Sequence, residues 1–275
     1  LLVWVFIQES NFKGAFRQLR GLDMREDKQQ REIFEFGMTC MRNEEYAVAE
    51  MSFDYIVSKG NVSPAYIPAQ IGLLKAKNQQ LFGAQRIDSS AVQQLSQEYE
   101  ERLTILPLNI ETAPAYRDWY RLRAFHLGDT AHALSGLEQL MEIPDPERQS
   151  LDETYLTYAD ILSFSGRYYE AILYYARVEK ARPGTDLADQ AKFRRARVAF
   201  YKGEFDWAQN LFDALKFSVS KHIANDAMAY SILIRNNMGL DTNTEALSFY
   251  AKAELLKFRQ LYPEALQVLD TLEIG

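Results

Sequence analysis

The sequence predicts an all-α protein: a right-handed superhelical solenoid of helix-turn-helix units. Three observations carry that prediction. Thirteen Gly and eight Pro in 275 residues are too few for a turn-rich β architecture and leave room for long helices. A short pattern recurs, with Gly first, an aromatic two residues on, Ala five on and an aromatic nine on. It reads Gly166-Arg167-Tyr168-Tyr169-Glu170-Ala171 with Tyr175, and Gly203-Glu204-Phe205-Asp206-Trp207-Ala208 with Phe212. Self-similarity at a nearly fixed period marks stacked repeats. Finally, apolar residues four and seven beyond the Ala, such as Tyr175 and Val178 or Phe53 and Ile56, continue one helix face.

Each position of the pattern has a physical reason. Gly ends one helix in the left-handed conformation that a β-carbon disfavours. The aromatic covers the turn, and the small Ala sits where two helices cross closely. With Ala as the anchor, the copies fall at Ala15, Ala49, Ala133, Ala171, Ala208 and Ala265, with Ala91 a weaker candidate. The spacings are 34, 42, 42, 38, 37 and 57, and the last leaves room for one extra helix.

Taken from the start, residues 1–7 (Leu-Leu-Val-Trp-Val-Phe-Ile) are apolar but far short of the ~20 needed to span a bilayer. They lack the basic flank and small-residue cleavage site of a signal peptide. The run reads as the inside of a helix, so the chain is expected to be a fragment or processed product of a longer one. Phe12-Lys13-Gly14-Ala15 with Leu19 is the first copy. Residues 30–60 hold Asn43-Glu44-Glu45-Tyr46-Ala47-Val48-Ala49, with Asn43 standing for the Gly. Residues 61–110 are irregular: Pro64, Pro68 and Pro107 read as helix breakers, and Ser89-Ser90 as a helix start. Residues 114–146 carry the copy around Gly128 and Ala133, and residues 152–185 and 189–222 carry the best-fitting copies. Residues 221–238 form the extra helix, ending at Asn236-Asn237-Met238 with Gly239 as its cap. Residues 243–273 hold the terminal repeat, around Leu261-Tyr262-Pro263-Glu264-Ala265. The expectation is one solenoid over 1–275 with six or seven helical hairpins.

Tyr155, Tyr158, Ala159, Leu162, Gly166, Tyr168, Ala171, Tyr175, Val178 and Pro183 fall on the signature positions of the tetratricopeptide repeat (TPR) family. So do Ala196, Ala199, Gly203, Phe205, Ala208, Phe212 and Leu215 in the next unit. The chain resembles that family over nearly its whole length. The resemblance implies that the first helix of each unit lines a concave wall. Carried across, the wall positions are Asp118, Trp119, Leu122 and Phe125 in one unit, then Leu156, Thr157, Asp160 and Phe164, then Phe193, Arg194, Arg197, Phe200 and Tyr201. Family members that clamp peptide C-termini place Asn with Lys or Arg there, and Asn is missing from the best-fitting units. Residues 218–226, with Ala224-Asn225-Asp226-Ala227 following on, resemble envelope-type bacterial repeat proteins that assist outer-membrane assembly. That resemblance points to the bacterial cell envelope or periplasm.

The residues offer no catalytic constellation. His126 and His132 are six apart, not the three or four that put two ligands on one helix face. The single cysteine, Cys40, sits at a helix-packing position and excludes an internal disulfide. No glycine-rich phosphate loop or nucleophile elbow occurs. The net charge of −7 argues against a nucleic-acid partner. The sharpest charged feature is Lys192-Phe193-Arg194-Arg195-Ala196-Arg197, where Arg194 and Arg197 share a helix face. It has two readings: an arginine pair in an aromatic groove that grips a carboxylate or acidic peptide, or a solvated basic face.

The functional expectation is a non-catalytic protein-interaction scaffold that needs no cofactor or metal and binds a peptide or partner protein in the concave groove. Its expected contact residues are Trp119, Phe125, Asp160, Phe164, Phe193, Arg194, Arg197, Phe200 and Tyr201. The alternative is a module that positions or regulates a catalytic domain outside this chain.

Overall fold

The computed structural model describes residues 2–26, 30–84, 87–238 and 244–273. Among them are fifteen α-helices and no strand. The chain divides into two compact units, Leu1–Asp129 with Glu142–Pro144, and Thr130–Met141 with Asp145–Gly275. The first unit holds α1 (Leu2–Gln8), α2 (Phe12–Glu26), α3 (Gln30–Arg42), α4 (Tyr46–Ser58), α5 (Tyr66–Phe82), α6 (Ser89–Thr104) and α7 (Ala113–His126). The second holds α8 (Thr130–Met141), α9 (Gln149–Phe164), α10 (Tyr168–Ala181), α11 (Asp186–Tyr201), α12 (Phe205–Leu215), α13 (Lys221–Met238), α14 (Glu245–Phe258) and α15 (Tyr262–Glu273).

One turn geometry recurs in both units. Five residues before each anchor alanine lies a residue of positive φ: Ser10, Glu44, Gly128, Gly166, Gly203 and Gln260, with φ of 55°, 61°, 72°, 87°, 79° and 61°. In five of these turns the next N–H reaches back five residues. Arg167 donates to the Leu162 carbonyl at 2.8 Å and Glu45 to that of Cys40 at 2.9 Å. This closes the helix end and satisfies a carbonyl that would otherwise be orphaned. The anchors then bury as the crossing argument requires. Ala15, Ala49, Ala133, Ala171 and Ala208 are fully buried, and Ala265 nearly so. Ala91 is only half-buried, and its neighbour Val92 takes the packing role instead.

Two local expectations are corrected. In the α3–α4 turn the left-handed residue is Glu44, not Asn43. Asn43 instead donates from Nδ2 to the Thr39 carbonyl at 2.8 Å. Pro68 does not break a helix, because it lies in the first turn of α5, where an N–H has no intrahelical partner to lose. Ser89-Ser90 does start a helix, α6, and Asp88 is its N-cap; the Asp88 Oδ1 accepts from the Ser90 N–H at 3.0 Å. Gly239, expected to cap α13, lies outside the described residues.

The two cores are built differently. In the first unit the Phe53 ring is fully buried between α3 and α5, at the glycines Gly37 and Gly72. In the second, Phe193, Phe200, Phe212 and Tyr230 form a ring cluster, with Phe212 and Tyr230 stacked at 4.8 Å and 9°. Each buried aromatic side chain is worth roughly 1.5–3 kcal/mol of hydrophobic transfer. Among the described residues, no helix is long and apolar enough to cross a membrane, and no group of three His, Cys, Asp or Glu is placed to hold a metal ion.

Candidate functional site: the α11 face of the second unit

Helix α11 starts at an N-cap, Thr185, whose hydroxyl accepts the Ala188 N–H at 3.3 Å. Asp186 and Asp189 in its first turn complement the positive end of the helix dipole. From there Gln190, Arg194, Arg197 and Tyr201 recur at four, three and four residues and line one face, while Ala196 and Phe200 enter the core. Helices α9 and α13 both pack against α11.

The cations of this stripe have separate fates. Asp160 of α9 is buried and accepts Arg194 Nη1 on Oδ2 at 2.5 Å and the Tyr175 hydroxyl on Oδ1 at 2.8 Å. Burial first, and the Asp160 charge second, push the Tyr175 phenol well above its ordinary range, so it stays a donor. A buried carboxylate is tolerable only with such partners. Lys192 and Arg195 both pair with Glu179 of α10, at 3.4 and 2.5 Å. Arg197 alone among the four cations makes no ion pair among the described residues. Its Nη2 donates to the Tyr201 hydroxyl, and its buried Nε has no hydrogen-bond partner.

Helix α14 lies against this wall. Its Phe258 ring stacks on Tyr201 at 6.1 Å and 27° and meets Phe164 edge-on at 6.1 Å. The Arg197 guanidinium sits 5.6 Å from the Phe258 ring centre and 5.4 Å from that of Tyr201. One turn back, Glu254 accepts the Tyr230 hydroxyl at 3.0 Å, and one further turn back Tyr250 meets Phe200 at 6.4 Å. Burial pushes the Tyr201 phenol up to about 12, with the Arg197 charge pulling the other way.

The expected wall residues therefore separate into groups. Asp160, Phe164, Arg194, Arg197 and Tyr201 come together where α9, α11 and α14 meet. Phe193 and Phe200 stand behind them and touch Tyr230 at 6.1 and 5.3 Å. Trp119 and Phe125 lie on α7 of the first unit. There the Trp119 indole donates to the Ser96 carbonyl at 3.1 Å, and Arg121 lies over the Phe125 ring at 5.5 Å. Sequence reasoning missed Tyr230, Glu254 and Phe258. The four-residue spacing of Tyr250, Glu254 and Phe258 shows that they share a helix face, but nothing local shows which surface that face meets.

Other reactive groups are occupied by packing. The Cys40 thiol is buried, and burial together with the Glu45 charge pushes it up to about 12, away from thiolate chemistry. His126 stacks on Phe82 at 4.3 Å, and burial lowers its pKa.

No model of a known protein family matches the sequence, and no curated protein matches it either. Among solved structures, the chain is similar to a thermophilic TPR protein of Thermus thermophilus. That match has a TM-score of 0.51 at 17% identity and covers 72% of this chain and 95% of the other. The fold is that of the tetratricopeptide repeat proteins. A tetratricopeptide repeat protein from Parabacteroides merdae matches with a TM-score of 0.49 at 15% identity, covering 89% of this chain and 92% of that one. Helix α14 packs on α11 more extensively than on α13, the helix before it.

Proposed function

We propose that this chain is a non-catalytic scaffold that holds a peptide or partner protein on the inner wall of its TPR units. One observation carries the reading: the wall of α9 and α11 already seats a helix, through a ring held between Phe164 and Tyr201 beside Arg197. Aromatic and Arg side chains of this kind dominate the energy of protein interfaces. Helix-in-groove recognition needs an apolar seat with a few orienting polar groups. Phe164, Arg197 and Tyr201 are the contact residues, braced from behind by Phe193 and Phe200. Arg194 is held by Asp160 and acts by fixing the face. Trp119 and Phe125 are the counterpart contacts on α7. A bacterial envelope assembly is the setting favoured by the resemblance at residues 218–226.

The test is capture of a partner from the source organism by wild type and by Arg197→Glu, with helicity and melting matched beforehand. A partner kept by wild type and lost by the variant supports the reading. Equal capture overturns the assignment of the contact to this wall.

A further inference from the structure

Among the described residues, the most exposed large apolar side chain of the second unit is Phe217, at 93%, in the turn between α12 and α13. Val219, two residues on, is 74% exposed. The polar groups of the same turn are satisfied by the protein. Asp189 Oδ2 accepts the Ser218 hydroxyl at 2.6 Å and the Val219 N–H at 3.3 Å. The Ser218 N–H donates to the Leu215 carbonyl at 2.9 Å, and the Ser220 N–H to the Ser218 hydroxyl oxygen at 3.2 Å. These donors can leave water without losing a hydrogen bond. Helix α13 follows directly. Its Lys221, Asn225, Met228, Ile232 and Arg235 recur at four, three, four and three residues, share one face and are all exposed. A cation stands at each end of this stripe, Met228 and Ile232 lie between, and the stripe carries no carboxylate. Asp226 lies on another side of α13. Asp213 of α12 holds Lys216 at 2.6 Å and lies 3.9 Å from Arg235, which stays 58% exposed.

We infer that this turn and the α13 stripe dock on an anionic lipid surface. Phe217 and Val219 enter the headgroup layer, and Lys221 and Arg235 meet the lipid charges. Charge complementarity selects the surface. The chain carries −7 overall, so an anionic bilayer repels it as a whole and accepts it by a local face of opposite sign. The hydrogen-bonded turn selects the mode, because its apolar side chains can be buried without stranding those backbone donors. No helix among the described residues is long and apolar enough to cross a membrane, and this contact needs none, since it lies in the interface. The inference is independent of the scaffold reading, because none of the lipid-facing residues belongs to the α11 face.

The test floats the full chain with vesicles of phosphatidylglycerol and phosphatidylcholine in equal parts, and with phosphatidylcholine alone. Wild type is compared with Phe217→Ser/Val219→Ser and with Lys221→Glu/Arg235→Glu, after circular dichroism and melting show matched folds. Wild type should float with the anionic vesicles, stay behind with the neutral ones and be released by salt. Each double variant should reduce recovery at least about fivefold. A second measurement keeps Lys221 and Arg235 intact. An environment-sensitive dye on Phe217→Cys should brighten and shift to the blue on anionic vesicles, and the same dye on Ser135→Cys, exposed on α8, should not. Cys40 is buried and does not compete for the label. No flotation of wild type with either vesicle, equal recovery from both, or recovery untouched by both double variants overturns the inference. If wild type ignores lipid while Phe217→Ser/Val219→Ser loses a captured protein, the patch docks a protein and the lipid assignment falls.

Discussion

Phe53 in the first unit and Phe212 in the second are both fully buried rings at helix crossings, but the balance of their neighbours differs. Phe53 has a single ring neighbour among the described residues, Phe34 at 5.6 Å, and lies where Gly37 of α3 and Gly72 of α5 expose bare backbone. A β-carbon on either glycine would come within 2.7 or 2.9 Å of the ring. Phe212 is surrounded by other rings: Tyr230 stacked at 4.8 Å and Phe193 edge-on at 5.7 Å. On its two glycine sides Phe53 has neighbours that cannot rotate to fill or vacate space. A ring among rings has neighbours with side-chain freedom. The same repeat geometry is thus held once by close helix approach and once by an aromatic cluster. The rigid solution should be the less tolerant of change, because cavity cost depends on how far a site can collapse.

The largest expected effect breaks or upholds that contrast directly. Phe53→Ala should cost about 3–5 kcal/mol, and Phe212→Ala should fall at or below the lower end of that range as its neighbouring rings relax inward. Urea titrations of the two variants decide it, and a smaller loss for Phe53→Ala would reverse the argument. Next, Gly72→Ala should cost roughly 1–3 kcal/mol by overpacking and be largely rescued by Phe53→Leu. Gly203→Ala should cost roughly 1–2 kcal/mol from backbone strain at φ 79°, with open space around its β-carbon and no such rescue. Double-mutant cycles separate the two causes.

A smaller effect of opposite sign is expected at Glu44 and Gln260. Each holds φ of 61°, so Glu44→Gly or Gln260→Gly should raise stability by up to about 1 kcal/mol, read as a higher melting midpoint. An unchanged or lower midpoint would mean that the side chains contribute more than the strain removes. The smallest effect concerns pH. The Cys40 thiol is raised from 9.0 to about 12 in the fold, by burial and then by Glu45, so the unfolded chain loses its proton first. Its contribution to stability is whole below pH 9 and declines as pH climbs towards 12. Cys40→Ala should flatten that decline, and alkylation of native Cys40 at pH 9 should be slow compared with the unfolded chain.

The repeats were legible because they rest on local chemistry. Gly166, Gly203 and Gly128 mark the turns, and the buried alanines mark the crossings, so helix period and anchor spacing were enough. At Glu44, Ser10 and Gln260 the same turn is made by residues that carry no left-handed signature. There the flanking helices impose the conformation, and only their packing reveals it. Residues 61–110 looked broken because Pro is a reliable helix breaker only beyond the first turn, and a helix start must be known before Pro68 can be placed. Part of the site was visible: the spacing of Arg194, Arg197 and Tyr201 shows one face of α11. Their partners were not, since Asp160 lies 34 residues from Arg194 and Phe258 lies 61 residues from Arg197 in the chain.

The sequence by itself determined the all-α class, the anchor alanines and the aromatic-and-arginine face of α11. Each follows from side-chain size, period and backbone preference within one or two turns of helix. The tertiary structure alone decided that Arg194 and Arg195 are paired while Arg197 makes no ion pair among the described residues, that Phe53 is held at two glycines, and that α14 packs on α11. Those outcomes depend on which helix surfaces meet, and contact between surfaces distant in the chain is set by the sum of packing and desolvation over the whole unit, which no local pattern encodes.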